Sequence, residues 1–222
     1  TIQHPPYGRI TGFYTATLDP GARTFTINPQ HFDENLIALL GKDEQGSPKT
    51  KTIDPFFEYA GTFKRANGSV DYLLEYHWRF SQAGKIPSTE RDTYVATDFV
   101  WQWYDIIDIN VAGDGKITTS RIPKGQKMAY LNRLINGFVA VPYKDQLLFF
   151  YMDWDYNLKK SLSSGTEFGM LTSKMSLVMA AIDANGSVSR KVLTDRFKEY
   201  WPSIFHSVVL PDNRILLVGQ PS

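Results

Sequence analysis

The densest run of groups able to do chemistry is Asp153-Trp154-Asp155-Tyr156-Asn157. Three oxygen-bearing side chains stand there at alternate positions, a spacing that lets a loop wrap several oxygens around a calcium ion. A helix–loop–helix calcium loop also needs a glycine at its sixth position and a glutamate at its twelfth. Leu158 and Ser164 occupy those places, so the run reads as the polar end of a strand and no metal is expected. The histidines, His4, His31, His77 and His206, are scattered, and none has the H-E-x-x-H spacing that anchors zinc. His77, in Glu75-Tyr76-His77-Trp78, comes near Asp153 only if neighbouring sheets repeat in register.

Other chemistries lack their signatures. No G-x-S-x-G elbow is present, and Gly165 after Ser163-Ser164 lies in loop-like sequence without the strand-turn-helix such an elbow requires. Glycoside cleavage needs two carboxylates facing across a cleft. Glu75, Asp105, Asp108, Asp153 and Asp155 are available for that, but a chain with 23 acidic residues always offers some pair. Gly113-Asp114-Gly115-Lys116 precedes a strand-like Lys116-Ile117-Thr118 rather than a helix, so it lacks the amide cluster that holds phosphate. No cofactor is expected. Asn67-Gly68-Ser69 and Asn185-Gly186-Ser187 match the glycosylation sequon, but Asn-Gly is also the preferred hairpin pair, and the turn reading suffices.

The aromatic group is Trp101, Trp103, Tyr104, Trp154, Tyr156 and Trp201. Flat exposed rings can stack on sugar faces. In Val100-Trp101-Gln102-Trp103 the two-residue period puts both indoles on one face of a strand, an arrangement more typical of inter-sheet core than of a platform. The candidate ligand-binding set is therefore Trp101, Trp103, Trp154, Tyr156, Asp153, Asp155 and His77.

The elements that must carry these residues are short strands. Residues 137–193 hold four apolar runs separated by Lys144-Asp145-Gln146, a polar loop and Ala184-Asn185-Gly186-Ser187, the pattern of a four-stranded antiparallel meander. A similar unit covers about 56–122, and 205–220 supplies two strands that the hairpin at 10–27 could complete. Asp19-Pro20-Gly21 turns that first hairpin and Asn28-Pro29 is expected to end it. His31–Leu40 changes to a helical period, with Asp33 as cap and Gly41 as stop, so one short helix is predicted near 33–40. Residues 42–54, 81–91 and 154–174 read as loops, and 195–201 as one helical turn. Aligning Trp78 with Trp154 brings Tyr72–Trp78 over Leu148–Trp154, and a repeat of roughly 70 residues carrying four strands suits a propeller blade. Three such units are fewer than an ordinary propeller contains. Either the chain is part of a longer one, or two copies assemble, or the sheets stack without closing.

Composition agrees and narrows the partners. The 222 residues are enough for one all-β domain, and 12 Tyr, 14 Phe and 5 Trp suit pleated surfaces. A net charge of +1 gives no field to attract polyanions, so nucleic acid is not expected. Without cysteine there is no disulfide, thiolate metal site or cysteine nucleophile. No apolar run approaches the roughly 20 residues needed to span a bilayer as a helix. The opening Thr1-Ile2-Gln3-His4-Pro5-Pro6 has neither an initiator Met nor a signal peptide, as expected of a processed chain or a piece of a longer one.

Taken together, YLLEYHW, YDIIDINVAGDGKITTSRIPKGQ, GFVAVPYKDQLLFFYMDW and LVMAAIDANGSVSRKVL resemble the C-terminal part of uncharacterised propeller-like proteins of Bacteroidetes-type bacteria. One hairpin of each unit there has a D-x-x-G-x-I/V turn and the next a D/N-x-L/I-L turn. The resemblance covers about residues 56–220 and implies a propeller-like fold and a periplasmic or cell-envelope location; it carries over no catalytic residue. The expectation is an all-β chain of repeated four-stranded antiparallel sheets, partly propeller-like, serving as a non-catalytic binding or scaffold module. A carbohydrate-binding or carbohydrate-cleaving protein using surface Trp and Asp residues is the alternative, and a homo-oligomer that completes its ring by pairing copies is a third. The partner is expected to be a protein or a glycan.

Overall fold

The structure is a computed structural model that describes residues 12–32, 34, 36–37, 57–85, 95–129, 137–163, 174–194, 200–210 and 214–221, of which 17, 77–85, 95–102, 127–129, 200–201, 205 and 220–221 are described by backbone alone. The chain divides into two compact units, residues 1–57 and 58–222.

In the first unit, β1 (Gly12–Asp19) and β2 (Thr24–His31) form a two-stranded antiparallel sheet. Asp19 makes its turn: Oδ1 accepts from the amides of Gly21 (2.9 Å) and Ala22 (3.0 Å), replacing backbone acceptors the tight bend cannot offer. The strand does not stop at Asn28-Pro29 as the sequence suggests; Pro29 lies opposite Tyr14 and the ladder runs on to Gly12 and His31. Proline removes a donor, which an edge strand tolerates because one side of its backbone pairs with nothing. Phe13 packs on Phe32 with ring centroids 5.7 Å apart, and Phe32 and Leu36 are buried. Glu34, Leu36 and Ile37 are helical, where the short helix is predicted. The rest of that helix and the expected loop at 42–54 lie outside the described residues.

The second unit is built from antiparallel sheets. β3 (Phe57–Lys64), β4 (Val70–Lys85), β5 (Val95–Val111) and β6 (Ile117–Ile122) follow one another as a meander, and β7 (Gln126–Ala129) pairs with the early half of β5. β8 (Val139–Tyr143), β9 (Gln146–Trp154), β10 (Met175–Ile182) and β11 (Val188–Thr194) form a second four-stranded meander. This is the unit expected at 137–193. Among the described residues β12 (Tyr200–Val209) and β13 (Ile215–Pro221) pair with each other only. The fold is therefore all-β with repeated antiparallel sheets, and no closed barrel or propeller ring is formed among the described residues.

One turn design recurs. The amides of Gly68, Gly115 and Gly186 each donate to a carbonyl three residues back, on Arg65, Ala112 and Asp183, and those three residues donate in turn to the carbonyls of Ser69, Lys116 and Ser187. All three glycines have φ between 82° and 85°, a left-handed conformation that a Cβ would strain. Asn67, Asp114 and Asp183 brace these turns with side-chain oxygens. The sequon asparagines at 67 and 185 therefore both sit in hairpin turns.

Alternation along the strands then makes the core. Leu73, Ile106 and Ile122 of the first sheet pack on Leu147, Phe149, Tyr151, Val178, Ala180 and Ile182 of the second. The opposite face of the second sheet presents Met152, Met175 and Leu177 to Ile204 and Leu217 of the β12–β13 pair. The β8–β11 sheet is thus a middle layer, greasy on both sides. That explains why Gln146–Trp154 reads as a nearly continuous apolar run rather than a strict alternation.

Three local expectations give way. β4 and β5 run on past the apolar sequence, pairing Ser81 with Phe99 and Lys85 with Val95, so 81–85 is strand where a loop is expected. A ladder is made by backbone groups and needs no apolar side chain. Asp155–Leu158 forms a single helical turn, α1, within the expected loop at 154–174. Tyr200 and Trp201 belong to β12, not to a helical turn.

Candidate functional site

Asp153 and its neighbours lie where β9 enters α1. Leu147, Phe149, Tyr151 and Asp153 share one face of β9 by the two-residue period, so the carboxylate follows the core aromatics inward and is fully buried. Its Oδ1 accepts from the amides of Trp154 (2.8 Å) and Gly125 (3.3 Å) and from Asn157 Nδ2 (2.9 Å). Oδ2 stands 3.8 Å from Arg190 Nη1, too far for a hydrogen bond. Arg190 Nη2 donates to the carbonyls of Asn157 (3.0 Å) and Lys160 (3.2 Å), which tethers α1 to β11. Burial raises the Asp153 carboxyl to about 6, against the opposing pull of Asn157, the two amides and Arg190. The buried Tyr151 hydroxyl next to it completes no hydrogen bond; burial, reinforced by Asp153, pushes its ionisation up.

Asp155 and Tyr156, expected at the same site, do not reach Asp153 with their side chains. Asp155 turns away and accepts from Ser176 Oγ at 2.7 Å. Tyr156 is half exposed, its ring 5.3 Å from that of half-buried Trp154 and 4.8 Å from the Lys160 ammonium. Trp103 is half-buried on β5, its backbone opposite His77 and Gln126. Trp101 and His77 are placed by backbone only, on β5 and just past an irregularity in β4, so an approach of His77 to Asp153 lies outside the described residues. Asp153, Asp155 and Asn157 do not form a cation cage: two hold protein donors and the third is itself a donor to Asp153. Among the described residues no group of three potential metal ligands is found.

The carboxylates that could serve glycoside cleavage are likewise engaged. Asp105 accepts from Arg121 Nε at 2.6 Å and from the Lys124 amide at 3.3 Å. Glu75 pairs with the fully buried Lys124 ammonium, which also donates to Gln126 at 3.0 Å. Gln126 then bridges to the Met152 carbonyl (2.7 Å) and the Gly137 amide (2.9 Å), carrying the chain of bonds from the first sheet into the second.

A second polar cluster sits at the other end of the same interface. Arg65, in the β3–β4 turn, grips Asp71 with two parallel bonds, Nε–Oδ2 at 2.7 Å and Nη2–Oδ1 at 2.8 Å. Its Nη1 reaches across to the second sheet and donates to the carbonyls of Asp183 (2.7 Å), Asp145 (3.2 Å) and Ile182 (3.4 Å). Asp108 Oδ2 lies 3.5 Å from Nη2. Asn110 adds donors to Asp71 and Ser69, at 2.7 and 3.1 Å.

Arg65, Asp71, Arg121, Lys124, Gln126 and Arg190 were not legible as site residues, because each has at least one partner distant in sequence. A signal existed for Asp71: it alternates with core Leu73 and so must point inward. The structure also joins Ser203 Oγ to His206 Nδ1 at 3.0 Å. Ser203 is almost wholly buried and its carbonyl receives the Ser207 hydroxyl, so the pair braces the irregularity in β12 and presents no open nucleophile.

Asp153→Asn checks the electrostatics. The acid is raised in the folded chain, so the stability it contributes is full below its ordinary pKa of about 4 and is lost as pH rises through about 6. The amide cannot ionise. Relative to the native chain, the variant is expected to gain stability steadily as pH rises through that window, read as denaturant midpoints at several pH values.

No protein family, curated protein or solved structure matches this chain.

Proposed function

We propose that this chain is a non-catalytic binding or scaffold module; a bacterial periplasm or envelope is the location that the sequence resemblance implies. One observation carries the reading. The carboxylates weighed for catalysis, Glu75, Asp105, Asp108, Asp153 and Asp155, each have at least one oxygen held by a cation, an amide or a hydroxyl of the chain itself, with Asp153, Asp105 and Asp108 buried in the sheet interface. A catalytic acid–base pair needs its oxygens turned toward substrate, and these are turned toward the protein. Support for a binding role comes from β1–β2, where Tyr14, Leu18, Phe25 and Ile27 share one face and are all exposed. Contiguous exposed apolar surface of this kind marks interaction surfaces. The test is turnover: chromogenic glycosides and esters incubated with the chain at several pH values should give no product above buffer. Turnover abolished by Asp155→Asn would overturn the reading.

Carbohydrate binding is the second reading, favoured by the Trp154–Tyr156 ring pair beside Lys160. If it holds, Tyr156→Ala should weaken capture on a glycan array roughly tenfold, about 1.4 kcal/mol, with the unfolding midpoint unchanged. Absence of any captured glycan sets this reading aside. Pairing of copies is the third, and light scattering on the isolated chain separates a monomer from an assembly.

A further inference from the structure

The Arg65 cluster contains an imbalance. Arg65, Asp71 and Asp108 are each at most 3% exposed, and the group holds two carboxylates against one guanidinium. Asp71 takes both prongs of Arg65, at 2.7 and 2.8 Å, and a third bond from Asn110. Asp108 is left with one marginal contact at 3.5 Å, and its Oδ1 is buried without any hydrogen-bond partner. Among the described residues, the other groups facing the cluster add no positive charge. The second-sheet turns contribute the carbonyls of Asp145, Ile182 and Asp183, and the Asp183 carboxylate is taken up by the amides of Asn185 and Ser187. The β3–β4 turn contributes Ser69 and β5 contributes Asn110. A second buried negative charge would have no counterion, and an uncompensated charge in such a place takes up a proton instead.

We propose that Asp71 and Asp108 form a buried proton-binding site, holding one proton at neutral pH and locking the junction between the first and second sheets through Arg65. The proton resides on Asp108, whose carboxyl burial and Asp71 raise to about 8 against the pull of Arg65. At alkaline pH Asp108 gives that proton to hydroxide, forming water and a second carboxylate. The new charge competes with Asp71 for Arg65, and so weakens the three bonds that Arg65 makes to the second sheet.

The sign follows from linkage. An acid raised in the folded chain stabilises fully below its unfolded pKa of about 4, and that stability is lost as pH rises through about 8. One proton bounds the effect: the unfolding equilibrium constant rises by at most roughly tenfold per pH unit. Two readouts test the site on the full chain. The infrared difference spectrum of native chain minus Asp108→Asn should contain one protonated-carboxyl C=O band at neutral pH that disappears above pH 9, and the native chain should lose stability relative to the variant from about pH 4 up to about pH 8 and level off above it. The pH window distinguishes this acid from Asp153, which is ionised by neutral pH. If Asp108→Asn does not fold, the band is read from the native chain alone as pH is raised. No protonated-carboxyl band at neutral pH, or parallel pH profiles for the two chains, overturns the proposal.

Discussion

Arg65→Met should destabilise the chain by about 3–5 kcal/mol, the cost of removing one partner from a buried ionic group and stranding the other. Four structural facts set that scale. Arg65 is buried, holds Asp71 bidentately, lies within 3.5 Å of Asp108, and supplies the donors for three carbonyls of the second sheet. Methionine fills similar volume but leaves two buried acids and those carbonyls without their cation. Arg65→Lys should recover only part of the loss, because an ammonium cannot make two parallel bonds to Asp71 and reach Asp183 as well. Urea unfolding of the native, Met and Lys chains checks the order. A double-mutant cycle with Asp71→Asn should show a coupling well above the 0.2–1 kcal/mol or so of an exposed pair. Equal stabilities for the three chains would mean that Arg65 does not hold the sheets together.

Phe149→Ala should be comparably severe, about 3–5 kcal/mol. Its ring is fully buried, meets Phe138 at 5.8 Å between centroids, and belongs to the cluster that joins Leu73, Ile106 and Ile122 to the second sheet. Loss of the ring removes its transfer free energy and leaves a cavity between two rigid sheets that have little freedom to close on it. An exposed aromatic supplies the contrast. Tyr59→Ala, at a ring 65% exposed on β3, should change stability by only about 0.5 kcal/mol. Thermal midpoints of the two variants give the comparison directly.

Much of this architecture was legible because its signals are local. The β8–β11 meander could be read from apolar runs broken by Lys144-Asp145 and Asn185-Gly186, since a tight turn is specified by two or three residues whose conformations are special. Lys144 at φ 54° and Gly186 at φ 82° occupy those positions. Residues 81–85 misled because their polar side chains say nothing about backbone pairing with 95–99. α1 misled for a related reason: its single turn is anchored by Asp153, Asn157 and Arg190, and no periodicity can build up over four residues.

The site was harder to read than the fold. Asp153 and Trp154 were recognisable as a noteworthy pair, yet adjacent residues on a strand point to opposite faces, and only the alternation with Phe149 and Tyr151 says that Asp153 goes inward. What it meets there comes from the loop before β7, from α1 and from β11. Arg65 is a sharper case, with its acceptors 80 and 118 residues further along the chain. Such partners are set by the stacking of sheets, which is a consequence of the whole fold rather than of any stretch of it.

Native-state hydrogen exchange tests most directly whether the chemistry-bearing acids sit inside a packed middle layer. The amides of β9 from Leu147 to Met152 and of β10 from Leu177 to Ile182 should exchange only through global unfolding, since sheets cover both of their faces. The amides of β1 and β2, in a two-stranded sheet with an exposed apolar face, should exchange orders of magnitude faster by local opening. If β9 and β10 exchange as fast as β1 and β2, the middle layer is not packed as described, and Asp153 is open to solvent and to substrate.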